Sequence, residues 1–202
     1  VTIRKGEAWG RDAEVPADAI EVHDDREARR IVTEARRADR TPPPMVLRGG
    51  DLARALGATG RPVRDDRPVR ELPVDLGAVL LDGRLFWFVA HLVVRRSLWS
   101  GRFVVAMNTE YLGPWKMAPR AHPNDGRLDL LDGSLSLDDR LKARRRLPRG
   151  EHVPHPRIAT RQVSAIQLEL DRPTPVWLDH ERIGTARTLS IWVEADALTC
   201  YV

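Results

Sequence analysis

The chain has 202 residues, 42% of them hydrophobic and 31% charged, which suits one domain with a substantial core, or two small ones, and marks the chain as globular rather than disordered. Its single cysteine, Cys200, excludes an internal disulfide scaffold, and its longest apolar run, Leu85 to Val94, is interrupted by His91 and is too short for a membrane-spanning helix. The net charge is only +4, too small to demand a nucleic-acid partner, although a local basic patch would attract phosphates or an anionic surface.

Val1 to Gly10 carries no apolar secretory core, so the expectation is a soluble, cytoplasmic protein. Asp24-Asp25-Arg26-Glu27 has capping-box spacing, with Asp24 as N-cap and Glu27 reaching back. Ala28, Ile31, Val32 and Ala35 follow at helical spacing on one face, and the helix should stop near Asp39, before Pro42-Pro43-Pro44. Met45 to Leu47 reads as a strand. Gly49-Gly50-Asp51 turns the chain into a second helix, closed by Gly57. Gly60 to Pro73 reads as a loop.

After it the pattern becomes β-rich. Val74 to Leu81 and Leu85 to Val94 flank Asp82-Gly83, a two-residue hairpin signal. Arg102 to Met107 and Leu128 to Leu131 are further strands, the latter closed by Asp132-Gly133. Ser136-Leu137-Asp138-Asp139 is a second capping box, opening a short helix near 136–146. The remainder, Arg157 to Val202, is all β, with strands at Val163 to Leu170, Val176 to Leu178, Leu189 to Val193 and Leu198 to Val202. Trp87 and Trp192 fall in β-runs and are expected in the core. The fold class is α+β: a truncated α/β head over residues 1–60 and an antiparallel β-sandwich over 61–202.

Five groups of residues bear chemistry. Gly49-Gly50-Asp51 is a glycine turn before a helix, suited to a phosphate, or simply a tight turn with Asp51 as N-cap. Asn108 through Asp129 holds Asp125 and Asp129, hard oxygen ligands suited to Mg²⁺; alternatively Asn124 and Asp125 bond their own backbone in a turn. In Trp177-Leu178-Asp179-His180-Glu181, Asp179 and Glu181 share a face if the strand continues, and Asp179 or His180 could accept a hydroxyl proton; the other reading is a polar β-turn. His152 and His155 have HxxH spacing, but Pro154 and Pro156 place them in an extended loop rather than a zinc cluster. Arg144-Arg145-Arg146 with Arg149 is the densest positive patch, suited to phosphates or anionic lipid, or to a solvated helix end.

The order of these segments resembles the diacylglycerol kinase and bacterial lipid kinase family, which shares its fold with NAD kinases. Gly50-Asp51-Leu52-Ala53-Arg54-Ala55-Leu56-Gly57 looks like the family's GTGNDfARaLG segment. Asn108, Gly113, Ala118, Pro119, Ala121, Asp125, Gly126, Leu128 and Asp129 match its N…G…aPxAxxxDGxLdl segment. Gly150 and His152 match its G-x-H stretch, Asp179 and Glu181 its DGE motif, and Val74-Asp75-Leu76-Gly77 its iDlg strand. The resemblance implies an α/β nucleotide lobe packed on a C-terminal β-sandwich, and transfer of the ATP γ-phosphate to a lipid hydroxyl with the help of Mg²⁺. Asp179 would inherit the base role beside Glu181, with Gly49, Gly50, Asp51 and Asn108 at the nucleotide. On that footing Asp179→Asn abolishes transfer and leaves the fold intact.

The departures are specific. The GGDGT motif that cradles ATP phosphates is missing, the stretch before Arg48 holds one helix and two strands, and the glycine of DGE is His180. Phosphoryl transfer rests on positioning and charge stabilisation around the phosphates. The leading expectation is therefore a lipid-kinase-like pseudoenzyme that binds a lipid, a small molecule or a partner. The alternatives are an active ATP-dependent lipid or small-molecule kinase with an atypical phosphate site, and, from another class, an arginine-rich nucleic-acid-binding protein. An anionic membrane surface and a homodimer through exposed strand edges are further candidate partners; nucleic acid is less favoured.

Overall fold

The computed structural model describes residues 9–58 and 69–202. Its elements are β1 (Arg11–Ala13), β2 (Ile20–Val22), α1 (Asp25–Arg37), β3 (Met45–Leu47), α2 (Gly50–Ala55), β4 (Val69–Leu81), β5 (Arg84–Phe88), β6 (His91–Arg95) and β7 (Arg102–Met107). Then come β8 (Tyr111–Leu112), β9 (Trp115–Lys116), β10 (Leu128–Ser134), α3 (Leu137–Arg146), β11 (Ile158–Val163), β12 (Ala165–Leu178) and β13 (Glu181–Tyr201). The architecture is α+β, mostly antiparallel sheet with few helices.

Among the described residues, eleven strands share one sheet, in the order β1-β4-β13-β12-β6-β7-β10-β11, with β5 on β4 and the β2-β3 pair joined to β13. The head is thus hydrogen-bonded into the body: β3 runs parallel to the end of β13, pairing Met45 with Cys200 and Val46 with Tyr201. The 60/61 division between head and body lies outside the described residues.

Alternation along the strands builds stacked cores. On β4, Val74, Leu76 and Ala78 face α1 and α2, while Val79 and Leu81 face the interior of the β-body. On β6 and β7, Leu92, Val94, Val104 and Ala106 face that same interior, while Val93, Val105 and Met107 face outward beneath α3. Both faces of these strands are covered, so their sequence is a continuous apolar run rather than an alternating one.

The local signals place the ends of several elements. Asp24 Oδ1 accepts the Glu27 N–H at 2.9 Å and Glu27 reaches back to the His23 N–H at 2.8 Å. Ser136 Oγ likewise accepts from the Asp139 N–H, opening α3. Asp82 and Gly83, both at positive φ, join β4 to β5.

Four readings of the sequence are corrected. Val69 to Pro73, at the end of the supposed loop, is already strand. Leu85 to Val94 is two strands, not one: β5 pairs with β4, whereas β6 pairs with β12 and β7. Gly133 does not close a turn but lies within β10, where a Cβ would come within 2.9 Å of the Phe103 ring. The tail is one short strand, β11, and two long ones, β12 and β13, with pairing irregularities between Glu169 and Thr174 and between Glu194 and Leu198. Trp87 is buried as expected, but Trp192 is only half-buried.

Candidate functional site

The break between β5 and β6 organises the site. Val89 and Ala90 cross from one pairing partner to another, so their backbone groups leave the ladder and need other partners. Asp179 and Asn108 supply them. Asp179 Oδ2 accepts the Val89 N–H at 2.9 Å, and its Oδ1 accepts those of Ala90 and His91 at 2.9 and 3.0 Å. Asn108 Nδ2 donates to the Val89 carbonyl and to that of Asp75, and the Asn108 N–H to the Ala90 carbonyl. Asp179 is 0% exposed, and this complete burial raises its carboxyl above the ordinary range against the pull of His91 and the three N–H donors.

Asp179 and His180 form the turn between β12 and β13, both at positive φ. The strand does not continue through them, so Asp179 and Glu181 share no face: Asp179 points inward, while Glu181 is exposed and ion-paired with Arg29 on α1. His180, at φ +66, stands in a conformation that favours glycine and disfavours a Cβ-bearing residue by about 1–2 kcal/mol.

From this turn His180 reaches α2. Its Nε2 lies 2.8 Å from Asp51 Oδ2 and 3.1 Å from His91 Nε2, and His91 Nε2 lies 3.3 Å from the same Asp51 oxygen. Asp51 also accepts the Gly113 N–H from the β8-β9 turn, at 3.0 Å and 2.8 Å on its two oxygens. Burial works against its charge, but the bonds from His180, His91 and Gly113 prevail and hold its carboxyl well below the usual range. His180 is raised in turn, chiefly by its hydrogen bond to Asp51.

Asp51 is not the cap of α2. Gly49 occupies that position without a side-chain bond, and Asp25 from α1 does the capping, accepting the Asp51 and Leu52 N–H groups at 2.6 and 3.0 Å. Burial, with the nearby Asp179 charge, raises the Asp25 carboxyl to about 7. The glycine pair is therefore occupied by protein. A Cβ at Gly49 would strike the His23 carbonyl, and one at Gly50 would lie 2.7 Å from Asp25 Cγ.

Asp125 and Asp129 lie apart from this cluster. Asp125 Oδ1 accepts the Arg127 N–H at 3.0 Å, closing its own turn, while Asp129 Oδ2 accepts from Gln162. Among the described residues no third histidine, cysteine or carboxylate joins them to make a metal-binding group. Burial raises Asp125 to about 6. His152 is buried and His155 half-buried, and among the described residues neither joins a metal-binding group.

His91 and His180 also border a cavity of about 540 Å³ beneath α3. Val105, Leu131, Leu135, Ile158 and Trp177 give it an apolar wall. Arg95, Arg140 and Arg144 line it too, with guanidinium groups over the rings of Trp177, Phe103 and Trp99 at 4.8, 5.5 and 6.0 Å. Leu98 and Trp99, 53% and 49% exposed, carry its lining out to solvent.

Sequence reasoning singled out Asp51, Asn108, Asp179 and His180 but missed Asp25, Arg29 and His91. The signal for His91 was present, as the one polar residue interrupting the run from Leu85 to Val94. Asp25 gave none, because its partners lie 26 and 27 residues away.

Comparison with solved structures agrees with this architecture. A diacylglycerol kinase from Bacillus anthracis strain Sterne superposes with a TM-score of 0.65 at 16% identity, covering 91% of this chain and 75% of that one. Two further structures from the same organism, described as the same kind of kinase, give TM-scores of 0.67 at 14% identity, covering 91% of this chain and 77% of each. No curated protein matches the sequence. Residues 79–201, more than half of the chain, match the family described as the YegS C-terminal NAD kinase beta sandwich-like domain. The chain belongs to that family.

Proposed function

We propose that this lipid-kinase relative binds an amphiphile, with an acyl-type chain in the cavity beneath α3, and does not transfer phosphate. The cavity carries the reading. Its volume lies in the range of small-molecule sites, its walls are apolar, and its polar groups are few and placed among them. Arginines 95 and 144 suit an anionic headgroup, Arg140 being engaged by the carbonyls of Leu135, Leu98 and Gly101, and the exposed Leu98 and Trp99 suit contact with the surface of a bilayer or micelle.

Three observations speak against kinase chemistry. The Asp179 carboxylate is buried and already accepts three backbone N–H groups. Glu181 is engaged by Arg29. The first N–H groups of α2, which would receive a phosphate, face the resident carboxylate of Asp25.

Thermal unfolding with a lysophospholipid below its micellar concentration, and separately with ATP and Mg²⁺, tests the reading. The lipid should raise the melting temperature and ATP with Mg²⁺ should not. Ala143→Trp, which fills the cavity from α3, should abolish the lipid shift. A shift with ATP and Mg²⁺ accompanied by phosphate transfer to the lipid would overturn the proposal, as would a lipid shift unchanged in Ala143→Trp.

A further inference from the structure

We propose that Asp51, His91 and His180 form a binding site for a divalent transition-metal ion, Zn²⁺ foremost, with open coordination positions on the cavity side. The proposal stands independently of what the cavity holds.

The geometry is that of a ligand set. Asp51 Oδ2, His91 Nε2 and His180 Nε2 make a triangle with edges of 2.8, 3.1 and 3.3 Å. Donor atoms about 2.1 Å from one ion lie about 3.0 Å apart at right angles and about 3.4 Å apart at the tetrahedral angle. The three atoms already lie close to those separations, so an ion could enter above the triangle with only small movements of the side chains.

Proton bookkeeping points the same way. Two imidazole nitrogens and one carboxylate oxygen converge, and each edge of the triangle sets acceptor against acceptor unless a proton lies on it. With both imidazoles donating from Nε2 to Asp51, two edges are satisfied and the His91–His180 edge sets donor against donor. One cation satisfies all three and uses both nitrogen lone pairs and the carboxylate charge. His91 Nδ1 is buried without a partner among the described residues, so what its Nε2 binds decides the tautomer.

The site is also held in advance. His91 is 0% exposed, and its own N–H is fixed by Asp179. Asp51 is fixed by the Gly113 N–H. His180 retains an imidazole at a left-handed position where glycine would be easier, a local cost that a ligand role explains. Two imidazoles and one carboxylate suit Zn²⁺ and its neighbours rather than Mg²⁺ or Ca²⁺, which prefer oxygen. Both histidines line the cavity, so water or an anionic headgroup could complete the coordination.

The test uses the full chain stripped with chelator. Calorimetric titration and thermal unfolding are run with Zn²⁺ and with Mg²⁺, and Co²⁺ absorption reports nitrogen coordination. His180→Gly is the informative variant because it relieves the backbone while deleting a ligand; His180→Asn, which also tolerates positive φ, is the second. The expected result is one Zn²⁺ per chain, a rise in melting temperature, and no comparable effect of Mg²⁺. Both variants should still unfold cooperatively without metal, at a melting temperature lowered by the lost bond to Asp51, and lose at least about tenfold in Zn²⁺ affinity. Equal Zn²⁺ binding by wild type and both variants, Mg²⁺ binding as tight as Zn²⁺, or no binding at all would each overturn the proposal.

Discussion

Replacing Asp179 by alanine separates a buried clamp from a chemical base. The substitution removes the acceptor of the N–H groups of Val89, Ala90 and His91. Each buried donor left unpaired costs about 1–3 kcal/mol. The total of about 3–9 kcal/mol is reduced because burying the lost carboxylate was itself unfavourable, as its raised pKa indicates. A net loss of about 4 kcal/mol is expected, a large part of the roughly 5–15 kcal/mol that holds a domain together. At this chain length it corresponds to a fall in melting temperature of about 8–16 °C. Asp179→Asn keeps an oxygen for Ala90 and His91 and sets an amide against Val89, so it should lose about 1–3 kcal/mol. Thermal and urea unfolding of the three proteins provide the measurement. An alanine variant melting within about 2 °C of wild type would refute the clamp.

The helix cap gives a pH-dependent test. The Glu27 N–H holds the Asp24 carboxyl below its ordinary value, so its contribution is complete above the unfolded pKa of about 3.9 and fades as pH falls through the lower folded value. Asp24→Ala should therefore cost about 1 kcal/mol near neutrality, and this penalty should shrink below about pH 4 in urea titrations run across that range. Gly77→Ala should cost about 1–3 kcal/mol, since its Cβ would lie within 2.6 Å of the buried Phe88 ring, and adding Phe88→Leu should recover part of that in equilibrium unfolding. Trp87→Ala should lose about 3–5 kcal/mol, whereas Trp192→Ala should lose clearly less in the same assay because its ring is half-buried.

What could be read from the sequence was local. The capping boxes at Asp24 and Ser136 and the Asp82-Gly83 hairpin act over two to four residues, and their partners are visible in the same short window. The division of Leu85 to Val94 into two strands was not readable, because the group that imposes it, Asp179, lies about ninety residues further on. Asp51 suffered a similar error. Its place beside two glycines at the head of a helix suggests a cap, but the actual cap comes from Asp25 on a neighbouring helix. The motif resemblance drew attention to residues that the structure shows bonded to the backbone. Asp75 accepts the N–H groups of Gly126 and Asp196, while Asn108 and Asp179 hold the crossover between β5 and β6. Residues of these types serve the backbone here, which by itself gives the fold a use for them.

Strand β13 has a mechanical consequence. It is 21 residues long, pairs with β12 at its beginning and lies between β4 and β3 at its end. A hinge between head and body would have to bend or tear this strand and its ladders. The separation of α2 from the β12-β13 turn is thus set by continuous backbone rather than by a movable linker. Ligands would be selected by a fixed aperture, exchanging through side-chain motion at Leu98 and Trp99 rather than by closure of one lobe on the other. The slowest-exchanging amides of the head and of the body would then open together, as one cooperative unit.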